Sequence, residues 1–76
     1  MTSPRRWSRA DDIMLALVQK GVGWRYDVVR ASVRYHGGVQ PPDYGWHLVD
    51  AELRCAAAYL GRSAAEAIDT VRRMTF

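Results

Sequence analysis

The arginines are the residues of this chain whose type and placement suit chemistry on a charged partner. Arg5, Arg6 and Arg9 put three positive charges into the first nine residues, which contain no acid. From residue 10 onward eight basic residues meet eight acidic ones, so the formal net charge of +3 resides in the arm. A basic arm ahead of a folded core is one way to reach a groove or a phosphate. It is also the composition of a plain solvated terminus. Near the other end Arg62 sits in the run Leu60-Gly61-Arg62-Ser63, with Thr70, Arg72 and Arg73 following it. Guanidinium groups suit phosphates and base edges, and hydroxyls such as those of Ser63 and Thr70 suit phosphate oxygens. The candidate DNA contacts are therefore Arg5, Arg6, Arg9, Arg62, Ser63, Thr70, Arg72 and Arg73. Glu66 and Asp69 share that last segment and repel phosphate.

A second set of residues suits a protein partner. Three tryptophans, four tyrosines and one phenylalanine make eight aromatics in 76 residues. Tyr44 and Trp46 lie beside Pro41 and Pro42, and both residue types concentrate at binding hot spots. The same rings also suit a core, and Trp24, Tyr35 and Trp46 fall on apolar stripes. Nothing in the chain argues for catalysis. His36, His47 and Cys55 allow a Cys–His pair or a two-histidine metal site on paper, but they lack zinc-ligand spacing. A lone cysteine is read as a small core residue. No phosphate-cradling glycine loop or nucleophile elbow is present. We expect no enzyme activity, no catalytic or metal-binding residue and no cofactor.

Local signals then decide which elements must position these groups. Asp11 and Asp12 suit the first turn of a helix capped by Ser8 and closed by Lys20 and Gly21. Ala10, Ile13, Met14, Leu17 and Val18 form its expected buried stripe. Trp24, Val28, Ala31 and Tyr35 recur at helical spacing and predict a second helix from Trp24 to His36. Residues 37–45, with Pro41 and Pro42, read as a loop. Trp46, Val49, Leu53, Ala56 and Leu60 predict a third helix, capped by Asp43 and stopped by Gly61. Ser63 and Glu66 form a capping box for a fourth, running to about Met74. The reading is an all-α domain of about four helices with a C-terminal helix–turn–helix. A basic arm covers 1–7 and a single helical domain 8–76. At 8.6 kDa and 49% hydrophobic residues there is one small core, and chains of this size often gain stability from a partner.

The residues Trp7-Ser8, Asp11-Asp12, Leu15, Leu17-Val18-Gln19-Lys20 and Trp24 resemble the first half of a Myb/SANT-type repeat. Leu60-Gly61-Arg62-Ser63 with Ala67-Ile68 and Arg72-Arg73 is similar to the final turn and recognition helix of bacterial Myb-like domains. The resemblance touches about the first 24 and last 18 residues. It implies nucleic-acid binding, with Arg62, Arg72 and Arg73 on the recognition helix.

Two functions are then in contention. The first is a small helix–turn–helix DNA-binding protein, a phage or bacterial transcriptional regulator. The alternative is a phage-encoded or bacterial adaptor that binds a host protein through Tyr44 and Trp46. A homodimer is compatible with both. The longest apolar run, Ile13 to Val18, is far short of a membrane span. Together with the single cysteine, this leads us to expect a cytoplasmic protein without a membrane partner.

Overall fold

The computed structural model describes residues 9–35 and 43–76. The chain runs α1 (Arg9–Gln19), β1 (Tyr26–Val33), β2 (Asp43–Asp50), β3 (Ala56–Gly61) and α2 (Ala64–Arg73). The three strands form one antiparallel sheet in the order β1-β2-β3. This α+β architecture overturns the all-α expectation. The first and last helices form where the sequence places them, the last with Ser63 as its cap, while Ser8, the expected cap of the first, lies outside the described residues. The two middle helices are strands, so the C-terminal helix–turn–helix does not exist, and Leu60-Gly61-Arg62-Ser63 joins a strand to a helix.

The physical reason lies in apolar residues on both faces of the sheet. In β1, Val28 faces the helices, while Val29, Ala31 and Val33 point to the opposite face by strand alternation. Apolar residues on both faces hide a period of two and leave chance matches to a period near 3.6. The β-branched Val28, Val29 and Val33 fit a pleated surface better than a helix. The expected third helix is broken at Asp50, whose Oδ1 accepts hydrogen bonds from the backbone N–H of Glu52 (2.9 Å) and Leu53 (2.7 Å). Arg54 then takes a left-handed φ of 59°. That reversal makes β2 and β3 a hairpin, and Asp43 opens β2 rather than capping a helix.

Both helices pack on one face of the sheet. Ile13, Ala16 and Leu17 of α1, and Ala64, Ala67 and Val71 of α2, share a core with Val28, Trp46, Leu48 and Leu60. The apolar stripes put Val18 and Trp24 in that core, but they are 59% and 79% exposed. Leu53 and Cys55 are exposed as well, since they lie in the hairpin turn and at its exit. Gly45 lets the strands close up: a Cβ there would collide with the Gly61 carbonyl oxygen, and its φ of 148° disfavours any other residue.

The other sheet face is covered by its own side chains. His47 is fully buried there between the rings of Tyr35 and Tyr59, with centroids 5.6 and 5.2 Å away. Its Nε2 lies 3.0 and 3.1 Å from the carbonyl oxygens of Ala31 and Asp43. Carbonyls only accept, so Nε2 carries the hydrogen, and Nδ1 accepts from the Tyr35 hydroxyl at 2.7 Å.

Candidate nucleic-acid interface

The two helices run in the same direction. Lys20 Nζ, just past the end of α1, donates to the Met74 carbonyl at the end of α2 (2.8 Å). Asp12, Leu15, Ala16 and Gln19 of α1 line a groove with Ile68 and Arg72 of α2. The eleven residues of α1 reach about 16 Å back along the sheet. Arg30 lies about 13 Å along β1 from Tyr26, so α1 begins at the level of Arg30. The strand register pairs Arg30 with Trp46, and Trp46 with Gly61, immediately before α2. One end of the molecule thus gathers the start of α1 at Arg9, Arg30, Trp46, Arg62 and the start of α2.

A cleft of about 330 Å³ opens at this end, lined by Arg30, Trp46, Arg62, Ser63 and Ala64. The Arg30 guanidinium lies over the Tyr44 ring, 5.6 Å from its centroid. Tyr44 is 46% exposed, whereas Trp46 is only 8% exposed and belongs to the core. The helix terminus itself is already matched. Glu66 N donates to Ser63 Oγ (3.1 Å), and Glu66 Oε1 accepts from the backbone N–H of Arg62 and Ser63 (3.2 and 3.3 Å). This capping box leaves the guanidinium groups of Arg30 and Arg62, not the helix dipole, as the anion-attracting groups of the cleft.

The residues expected to contact DNA are divided by the fold. Arg5 and Arg6 lie outside the described residues, and Arg9 opens α1. Arg62 and Ser63 stand at the cleft, although the Ser63 side chain is committed to its cap. Thr70 is turned inward, its single hydroxyl hydrogen lying between the carbonyl oxygens of Leu60 (2.7 Å from Oγ1) and Glu66 (2.8 Å). Arg72 and Arg73 stand at the far end of α2, about 15 Å away by helix rise, and Arg73 pairs with Asp69 at 2.7 Å. Sequence reasoning missed Arg30, because only the strand register sets it opposite Trp46. Of the groups weighed for metal or Cys–His chemistry, His36 lies outside the described residues and His47 has both ring nitrogens engaged. Among the described residues no cluster of three or more histidine, cysteine or acidic side chains could hold a metal ion, and no helix is long and apolar enough to cross a membrane. Burial, with the nearby Asp43 carboxylate adding to it, raises the pKa of Tyr35 above 10.0.

Compared with known proteins, the chain matches no family model, no curated protein and no solved structure.

Proposed function

We propose that the protein binds DNA through its sugar–phosphate backbone, at the end where both helices begin. The observation that carries this reading is the parallel course of α1 and α2. It roots the basic arm of Arg5, Arg6 and Arg9 at the same end as Arg30 and Arg62. The Arg30 guanidinium on β1, that of Arg62 in the junction before α2, and the arginines at and ahead of the start of α1 suit phosphates spaced along a duplex. The outward positions of α2 include Glu66 and Asp69, both exposed or partly so, which favours backbone contact over base reading by that helix. The exposed Cys55 suits a reducing compartment such as the cytoplasm.

The test is fluorescence anisotropy with random-sequence duplex DNA at low and at near-physiological salt. Affinity should fall steeply as salt rises. Replacing the three arm arginines should reduce the log–log slope by about 0.9 for every phosphate that the arm neutralises. Absence of binding at low salt overturns the reading. A second reading rests on Tyr44, which is half exposed beneath Arg30, a pairing of residue types that favours protein contacts. It predicts a salt-insensitive protein complex that Tyr44→Ala abolishes.

A further inference from the structure

The far end of the molecule, where α1 and α2 stop, carries its own unassigned surface. Among the described large apolar side chains Trp24 is the most exposed, at 79%. Its ring is nonetheless held, because Nε1 donates to the Gly21 carbonyl at 3.2 Å. A positioned, solvent-facing indole has given up rotamer freedom before any partner arrives, which lowers the cost of docking it. Val18 extends the apolar surface: the turn at Gly23 packs against its side chain, and Val18 itself is largely exposed.

Beside the ring lies a cleft of about 470 Å³ lined by Trp24, Arg25, Asp50, Ala51 and Glu52. The turn that forms it is hydrogen-bonded throughout residues 50–53. Ala51 N donates to the Arg25 carbonyl (3.0 Å), and Asp50 is occupied in capping Glu52 and Leu53. Arg25 and Glu52, which flank the cleft, carry opposite charges. A knob, a hole and two opposite charges on one surface are what a two-fold contact requires, since each residue then meets its complement on the other copy. We propose that this end is a homodimer surface, with Trp24 of each copy seated in the cleft of the other and Arg25 facing Glu52 across the axis.

The contact is small. A buried aromatic contributes about 150–250 Å² against the roughly 800 Å² per partner of a standard interface. The dimer is therefore weak and concentration-dependent. It leaves the end bearing Arg30 and Arg62 free, so self-association and DNA binding are separable.

Sedimentation velocity on the full chain, from about 1 µM to a few hundred µM, spans the affinities expected of such an interface. We expect a monomer–dimer equilibrium that Trp24→Ala weakens by at least about tenfold. Arg25→Glu and Glu52→Arg should each weaken it, and the double variant should restore it. Circular dichroism checks that each variant keeps the fold. Should Trp24→Ala unfold, the charge exchange carries the test alone. A monomer at every concentration overturns the proposal. So does a dimer indifferent to Trp24→Ala, or a double variant that fails to recover.

Discussion

His47 shows how one residue can be expensive to bury and still be fully accommodated. Both ring nitrogens find partners, Nε2 in the strand carbonyls and Nδ1 in the Tyr35 hydroxyl just past β1, and the rings of Tyr35 and Tyr59 lie against it. Among the described residues no buried side-chain nitrogen or oxygen lacks a hydrogen bond, so the usual penalty for unpaired polar groups is avoided. The bond from Tyr35 ties stability to pH. Burial first, and the Asp43 charge second, hold the Tyr35 phenol protonated above its ordinary 10.0. Protonation is thus favoured in the folded state. The stabilising contribution is fully present below pH 10 and is lost as pH rises through the raised folded value. Denaturant melts of the wild type should show a decline above about pH 10. In Tyr35→Phe that decline should be smaller, from a starting stability about 1–3 kcal/mol lower, because the buried Nδ1 of His47 loses its donor. Parallel curves for the two proteins would contradict the assignment.

Among the elements, α2 is the one most completely specified by local signals. Ser63 and Glu66 bond reciprocally at its start, and Ala64, Ala67 and Val71 form the face it buries. Arg72 and Arg73 close it with the favourable dipole sign. Ser63→Ala should cost about 1 kcal/mol in urea denaturation, the ordinary value of an N-cap. The strands behave differently. Their apolar residues populate both faces, because α1 and α2 cover one side while His47, Tyr35 and Tyr59 build a cover for the other. No local pattern in Trp24–Leu60 announces that second cover, so period-based reading turns the three strands into two helices. Asp50 shows the same ambiguity from the opposite side: an aspartate in an alanine-rich stretch is compatible with a helix, and only the hairpin makes it a turn residue.

At the scale of the whole molecule, parallel helices on one sheet face give the protein two unlike ends. One gathers the root of the arm, Arg30, Tyr44 and Arg62. The other holds Trp24, the cleft beside it, and Arg72 and Arg73 near the end of α2. The division makes the DNA reading specific. Arg30→Ala combined with Arg62→Ala should weaken duplex binding in anisotropy by about tenfold or more, since a hydrogen bond to a charged group is worth roughly 1.5–3 kcal/mol. Arg72→Ala combined with Arg73→Ala should leave it within about threefold, less than a single such bond is worth. Equal weakening by the two pairs would refute an interface confined to one end. Neither pair belongs to the buried core, so folding is preserved in both.

The amino-acid sequence alone determined the two terminal helices, the capping box and the inward side of α2 expected at Ala67, Ile68 and Val71, of which Ala67 and Val71 are buried and Ile68 is half-buried. Each of these rests on interactions within a few residues along the chain, and such interactions are legible locally. The concentration of positive charge in the arm was equally plain from composition. Only the tertiary structure decided that residues 26–33, 43–50 and 56–61 are strands, because two-sided burial is set by partners distant in sequence. It also decided that Arg30 joins Arg62 while Arg72 and Arg73 do not, a grouping that follows from strand register and from the common direction of the helices. Trp24 is the clearest case. Its spacing fits a buried helical stripe, yet the turn after α1 leaves it in solvent, and the surface that results exists only in the folded chain.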